Sequence, residues 1–107
     1  MNHEKLLGCL PIGTENRVSR AQLQKWLHMP DRAIRDAIKA IRMQQIPIVS
    51  SSSQPGYSIA STQADIDAFI RENQSRIREL EAINETMRKC RAVPDAGALW
   101  QRWEDSP

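Results

Sequence analysis

The chain has 107 residues, of which 40% are hydrophobic and 26% are charged. This length suits one globular domain with a short appendage, and it excludes a multidomain enzyme. The composition excludes a chain that is too polar to fold. Only four Gly, one Phe and one Tyr are present, whereas Ala, Ile, Leu, Gln, Arg and Glu dominate long stretches, so most of the chain is predicted to be helical.

The charges are nearly balanced overall but unevenly distributed. Fifteen Lys and Arg against thirteen Asp and Glu leave a net charge of +2. The first 44 residues contain eight basic and four acidic residues, whereas residues 71–107 contain seven of each. We therefore expect an anion-binding surface to lie in the first half of the chain.

Cysteine usage and hydropathy bear on the compartment. Cys9 and Cys90 are far apart and form no spaced framework, which predicts free thiols in a reducing cytoplasm. The N-terminus lacks the features of a signal peptide, and no apolar run approaches the roughly 20 residues of a membrane span. We expect a cytoplasmic protein without a membrane partner.

No chemistry of an enzyme or a cofactor site is apparent. His3 and His28 have no ligand-type spacing to each other or to the cysteines, so no metal or other cofactor is expected. There is no nucleophile motif and no phosphate-binding glycine loop. The expectation is a protein that is not an enzyme.

Three short helices are predicted first. Leu6, Leu7 and Leu10 predict a helix that ends by Pro11, and the segment 12–18 is predicted to be a loop. Ser19 stands at the N-cap of a second helix. Asp31 is predicted to cap a third helix after a short interruption, which gives a tight helix-turn-helix.

The third helix has two distinct faces. At 100° per residue, Ala37, Ile38 and Ile41 lie within about 60° of Ile34 and form a stripe that is predicted to be buried. The opposite face carries four cations, Arg32, Arg35, Lys39 and Arg42, together with Asp36. This face is predicted to be available to a partner.

A β-hairpin is predicted next. The β-rich runs 46–49 and 57–60 flank a polar segment that contains Pro55 and Gly56. The tip is predicted to be exposed and mobile.

The rest of the chain is predicted to be helical. A long helix starts at the N-cap Thr62, with Asp65 completing a capping-box-like pair, and continues to about Arg91. Its first part is predicted to pack on the preceding domain. Pro94 stops the helix, and Asp95 caps a last short helix. The predicted organisation is a domain at 1–61, a long helix at 62–93 and a tryptophan-bearing tail at 94–107.

The long helix also carries a short heptad pattern with polar interruptions. The residues predicted to pair two copies of the chain are Ile70, Ile77, Leu80, Asn84 and Met87. The alternative is that helix and tail fold back on the first domain. Trp100 and Trp103 are predicted either to pack on the protein or its copy, or to dock another protein.

The order of the predicted elements resembles that of winged helix-turn-helix domains. The segments 19–23 and 29–38 resemble the second helix and the recognition helix of this family, and 46–50 with 56–59 resemble the wing of biotin-repressor-like bacterial and bacteriophage regulators. The resemblance covers roughly residues 4–60 and does not include the long helix or the tail. It implies a winged helix-turn-helix for this part of the chain. With the long helix predicted from the residues, the expected fold is mainly α with a small β-hairpin (α+β), a winged helix-turn-helix plus a long C-terminal helix.

The resemblance also implies that double-stranded DNA is the partner, with the third helix in the major groove and the wing near the backbone or minor groove. Arg32 and Arg35 are expected to contact bases or phosphates, and Lys39 and Arg42 to hold phosphates. Asp36 is expected either to accept a hydrogen bond from cytosine or to orient Arg32. Further contacts are expected from two groups, Ser19, Arg20 and Gln22 at the second helix, and Ser51, Ser52, Ser53 and Gln54 in the wing.

Two functions follow as hypotheses. The first is a small bacterial or phage transcriptional regulator that binds DNA as a homodimer. The second is a winged-helix protein-interaction or replication-complex adaptor that does not bind DNA by itself, because the wing lacks the Lys and Arg common in this family.

Overall fold

A computed structural model describes residues 2–105 of the chain. Met1, Ser106 and Pro107, which fall within the predicted segments 1–61 and 94–107, lie outside the described residues. The structure is mainly helical with one small antiparallel sheet, as the sequence predicts. The elements in chain order are α1 (Asn2–Gly8), α2 (Arg20–Leu27), α3 (Asp31–Arg42), β1 (Ile48–Ser50), β2 (Tyr57–Ile59), α4 (Gln63–Arg88) and α5 (Ala96–Glu104).

The chain divides into two units, the first ending at Ser75 and the second beginning at Arg76. This division falls inside α4, whereas the sequence places a boundary at residue 61. The difference arises because the first turns of α4 contact the helix-turn-helix and the hairpin, as described below.

The core of the first unit lies where α1, α2 and α3 meet the sheet. Leu6, Leu23, Ile34, Ile38 and Ile48 are almost fully buried there. Each such side chain stabilises the fold by about 1.5–3 kcal/mol relative to its exposed state. The stripe that the sequence predicts on α3 is therefore the stripe that is buried.

Local hydrogen bonds fix both ends of α2, and its second end leads into α3. Ser19 caps α2, and its side chain and that of Gln22 form a reciprocal capping box. His28 adopts a left-handed conformation at φ 52° and donates its backbone N–H to the carbonyl oxygen of Gln24, which closes α2.

The predicted cap of α3 is wrong. Pro30 occupies the N-cap position, and Asp31 is already the first helical residue. Its carboxylate pairs with two arginines instead of capping the helix. A carboxylate in the first turn still interacts favourably with the positive end of the helix dipole.

The hairpin forms as predicted, with Val49 opposite Ser58. The segment 12–18, predicted to be a plain loop, also contributes to the sheet through isolated bridges from Ile12 to Ile59 and from Val18 to Tyr57. The backbone N–H groups of Val18 and Tyr57 each donate to the other's carbonyl oxygen. The hairpin is thus held on its β2 side by the chain that links α1 to α2.

Gly56 is required where the hairpin loop, residues 51–56, enters β2. Its φ is +118°, which L side chains rarely adopt. A Cβ atom at this position would lie 2.9 Å from the Cβ of Arg17 and 3.1 Å from the carbonyl oxygen of Val18. This close approach fixes the hairpin against the segment 12–18.

Helix α4 begins at the predicted cap. The backbone N–H of Asp65 donates to Thr62 Oγ1 at 3.2 Å, and the carboxylate of Asp65 accepts from the backbone N–H of Ser61. The helix ends at Arg88, three residues before the predicted end.

The second unit contains the remainder of α4 and α5. Asp95 caps α5 as predicted, because its carboxylate accepts from the backbone N–H of Ala98 at 2.9 Å. None of the described residues of this unit is buried. No helix within residues 2–105 has the length and apolar character needed to cross a membrane.

Candidate nucleic-acid interface

The outward side of α3 carries a group of exposed cations, which we call the cationic face and define as Arg32, Arg35 and Lys39. All three side chains are exposed, whereas Ile34 and Ile38 on the other side of the same helix are buried. Three positive charges thus lie along about two turns of a helix whose opposite side is fixed to the core. The arrangement presents the cations to solvent on a rigid support.

Asp31 connects this face to α2. One carboxylate oxygen of Asp31 lies 3.1 Å from Nε of Arg20, and the other lies 3.1 Å from Nε of Arg35. The three side chains are partly exposed, so each pair adds little to stability. Their effect is on geometry, because one carboxylate orients two guanidinium groups from two helices. Each guanidinium also carries Nη–H donors of the kind that bind anions.

Of the two roles expected of Asp36, the structure bears on one, the orientation of Arg32. Asp36 is exposed, and it forms none of the ion pairs found among the described residues. The expected pairing with Arg32 is therefore absent, and Asp31 pairs with Arg35 at the same four-residue spacing. Arg32 forms no ion pair among the described residues.

Arg42 is placed differently from the other cations of α3. Its Nε donates to the carbonyl oxygen of Ile48 at 2.8 Å, and its Nη2 lies 3.5 Å from Ser50 Oγ. The guanidinium carbon lies 4.6 Å from the ring centroid of Phe69 and 5.9 Å from that of Tyr57. The side chain therefore joins α3 to both strands and to the first turns of α4.

The sequence analysis expects Arg42 to hold a phosphate, and the structure gives its guanidinium partners within the protein. The helical wheel places Arg42 about 80° from Ile34, at the border of the buried stripe. Its long side chain follows the apolar surface towards the hairpin instead of extending into solvent. Burial lowers the pKa of the Arg42 guanidinium, partly offset by Tyr57. Arg42 is a structural residue, and the cationic face does not include it.

Ser19 and Gln22 are also used locally. Ser19 Oγ accepts from the backbone N–H of Gln22, and Gln22 Oε1 accepts from the backbone N–H of Ser19. Their side chains stabilise the start of α2. Of the three residues expected at this position, Arg20 has the charged group directed at the shared carboxylate of Asp31.

The hairpin loop is exposed at residues 52–55, as predicted, but two of its serines are bonded to α4. Ser51 Oγ donates to Glu72 Oε1 at 3.0 Å, and the backbone N–H of Ser52 donates to Glu72 Oε2 at 3.3 Å. Ser53 donates its backbone N–H to Ser51 Oγ. These groups hold the loop against α4, and they place a carboxylate beside it. A neighbouring negative charge disfavours phosphate.

Glu72 and Arg17 are the residues of this region that the sequence analysis missed. Arg17 Nη1 donates to the carbonyl oxygen of Gln54 at 3.0 Å, so the loop is held from both sides. Neither residue has a local signal, because each meets the loop through contacts at more than 15 residues of sequence separation. The Gln54 side chain has no hydrogen bond among the described residues and remains exposed.

The residues predicted to pair two copies lie on α4. Ile70 is 44% exposed, Ile77 is 52% exposed, Leu80 is 54% exposed and Met87 is 61% exposed. Asn84 is exposed on the same helix. In α5, Trp100 and Trp103 are 62% and 71% exposed. Each of these apolar side chains is thus at least 44% exposed.

Cys9 and Cys90 are both free thiols. In the described part of the chain, no three His, Cys, Asp or Glu side chains are grouped to hold a metal ion.

Comparison of the chain with models of protein families, with curated protein sequences and with solved structures gives no match.

Proposed function

We propose that the protein binds double-stranded DNA and places α3 in the major groove. The observation that carries the proposal is the cationic face on a helix that is fixed from behind by the core and follows α2 through a tight turn. An α-helix fits the major groove of B-DNA, and Arg and Lys supply most contacts to phosphates and to guanine. The resemblance to winged helix-turn-helix domains supports the same docking.

The roles within the face follow from the contacts. Arg32 has no ion pair within the described residues and lies in the first turn of α3, so it is the proposed base contact. Arg35 and Arg20 are oriented by Asp31 and are proposed to hold phosphates on adjacent parts of the backbone. Lys39 extends the phosphate contact one turn further.

A single face of this size neutralises few phosphates, so binding by one copy is expected to be weak and sensitive to salt. A homodimer formed through α4 would present two copies of α3 about 34 Å apart, one turn of DNA. We therefore propose a dimeric regulator of transcription of the bacterial or phage type.

The test is a titration of a labelled random-sequence duplex by fluorescence anisotropy, from low to physiological salt. Arg32→Ala with Arg35→Ala is expected to weaken binding to the random-sequence duplex, because it removes two of the three charges of the cationic face. It should also reduce the slope of log affinity against log salt by about 1 for each lost phosphate contact.

The matched control is Arg71→Ala with Arg78→Ala, which removes the same charge from exposed positions of α4 opposite Leu80. Circular dichroism would establish that both variants are folded. The proposal requires a loss in the first variant and not in the control. Equal losses would mean that only net charge matters, and no binding even at low salt would exclude the DNA function.

A second candidate function is a protein-interaction or replication-complex adaptor. Two features favour it. The carboxylate of Glu72 accepts a hydrogen bond from the hairpin loop, and the tryptophans of α5 are exposed. Trp100→Ala with Trp103→Ala would then abolish capture of a partner, whereas Trp26→Ala, which removes an exposed tryptophan from α2, would not. The adaptor function also requires that the protein does not bind the duplex at low salt.

A further inference from the structure

The second unit has an apolar stripe that its own described residues leave uncovered. Ile77, Leu80, Ile83 and Met87 lie along one side of α4 and are 52–61% exposed. Burial of such a stripe is the main force that stabilises helix contacts. A row of large aliphatic side chains in water therefore indicates a binding surface.

The spacing of this stripe identifies the type of contact. Ile77, Leu80, Asn84 and Met87 follow one another at intervals of three, four and three residues. These are the intervals of alternating a and d positions in a coiled coil. Arg76 then occupies a g position and Glu81 an e position, beside the apolar seam.

We infer that residues 76–88 of α4 pair with the same residues of a second copy in a parallel, in-register coiled coil. In a parallel pair, each g position lies next to the e position five residues later on the other helix. Arg76 of one copy therefore meets Glu81 of the other, and the two-fold symmetry forms this ion pair twice. The segment is complementary in charge to itself.

Asn84 selects the same arrangement. In a parallel, in-register pair an a position faces the same a position, so the two Asn84 amides can hydrogen-bond to each other. In an antiparallel pair a positions face d positions, which places the amide against Leu80 or Met87 without a partner. The antiparallel arrangement also brings e beside e and g beside g, which separates Arg76 from Glu81.

This pairing extends the proposed function. Its role on DNA rests on that function, whereas the pairing itself does not. A parallel pair brings the N-terminal ends of both segments together, so the chains that precede Arg76 leave from the same end. The following experiments contain no DNA. A failure of the pairing is thus distinguished from a failure of DNA binding by α3.

The first experiment is a charge-exchange cycle measured by sedimentation equilibrium of the full chain. Arg76→Glu and Glu81→Arg each replace two attractions by two repulsions, and each is expected to weaken the dimer by roughly fivefold to thirtyfold at low salt. The double variant exchanges the charges and is expected to restore the dimer. The effects that the two substitutions have within their own helix simply add in the double variant. Recovery of the dimer in that variant therefore reports a contact between the two copies.

Arg78→Glu with Glu85→Arg is the matched control, because both residues lie outside the seam and its flanks. It is expected to leave the dimer unchanged. A wild-type chain that remains monomeric overturns the inference, and so does a double variant that is as weak as the single variants.

The second experiment tests orientation with the protein's own thiol. Cys90 is exposed just after α4, and Cys9→Ser leaves it as the sole cysteine. In the parallel pair both Cys90 residues lie at the same end, so a short bis-maleimide is expected to link the two copies. In an antiparallel pair that overlaps fully, they would be roughly 24 Å apart at about 1.5 Å of rise per residue. A dimer that sediments as such but is not linked overturns the parallel orientation. Cys9→Ser with Cys90→Ser is the blank.

Discussion

Helix α3 and residues 76–88 of α4 both carry an apolar stripe, but only α3 buries it. Ile34, Ala37, Ile38 and Ile41 are at most 5% exposed, whereas Ile77, Leu80, Ile83 and Met87 are more than half exposed. An amphipathic pattern thus predicts that a helix makes a contact, and it does not identify the partner. For α3 the partner is the chain's own core, and for α4 we infer a second copy.

Removal of equivalent side-chain volume from each stripe tests this difference between the two helices. Ile38→Ala is expected to lower the free energy of unfolding by about 2–5 kcal/mol, because it leaves a cavity in the core. Leu80→Ala is expected to change that free energy by at most about 0.5 kcal/mol in dilute, monomeric protein. Urea denaturation monitored by circular dichroism measures both values.

The same two variants are expected to have the opposite order of effects on the affinity of the dimer. Leu80→Ala is expected to weaken the dimer, whereas Ile38→Ala should leave dimerisation of the folded protein unchanged. If the two substitutions lowered monomer stability equally, the stripe of residues 76–88 would be buried within the monomer as that of α3 is.

A second pair of variants sharpens the border between the two sides of α3. Arg42→Ala is expected to lower the free energy of unfolding by about 1–3 kcal/mol, since it removes a charged hydrogen bond to Ile48 and the contact with the Phe69 ring. Lys39→Ala, three residues away on the exposed side, should change it by at most about 0.5 kcal/mol.

For the salt dependence of DNA binding, Lys39→Ala is expected to have the larger effect of the two. Lys39→Ala is expected to reduce the salt slope by about 1, and Arg42→Ala should leave it unchanged in folded protein. A loss of slope in Arg42→Ala without a loss of stability would return Arg42 to the DNA-binding set.

The sequence predicted the parts of the fold that depend on local pattern. The helices, the hairpin and the caps Ser19, Thr62 and Asp95 follow from periodicity and from side chains that reach their own backbone. The buried stripe of α3 follows from its 3.6-residue period. These features need no knowledge of distant residues.

The sequence did not predict features that depend on which distant groups meet. The bridges from Ile12 and Val18 to β2, the ring of Phe69 above Arg42 and the bonds from the hairpin loop to Glu72 all join separate elements. Arg42 shows the consequence most clearly. Its position on the helical wheel follows from the sequence, but its contacts are set by the hairpin and by Phe69, so its contribution to the fold was not predicted.

Glu72 belongs to the part of α4 that lies in the first unit, and its substitution is expected to have a small effect. Glu72→Gln retains an oxygen that can accept from Ser51, so the free energy of unfolding is expected to change by less than about 1 kcal/mol. It removes the negative charge beside the hairpin loop. If the loop lies near phosphates, affinity for a duplex at low salt should rise by about twofold to fivefold, and the gain should vanish as salt is raised.

Glu79→Gln is the matched control, because it removes the same charge from an exposed position of α4 in the second unit. It is expected to change affinity less than Glu72→Gln does, since Glu72 is the carboxylate that accepts hydrogen bonds from the hairpin loop. Equal gains would show that the loop does not approach DNA and that α3 alone meets the duplex. A loss of affinity in Glu72→Gln would show instead that the loop must be held on α4 for DNA to bind, in which case the serines bonded to Glu72 would serve to position the exposed side chain of Gln54.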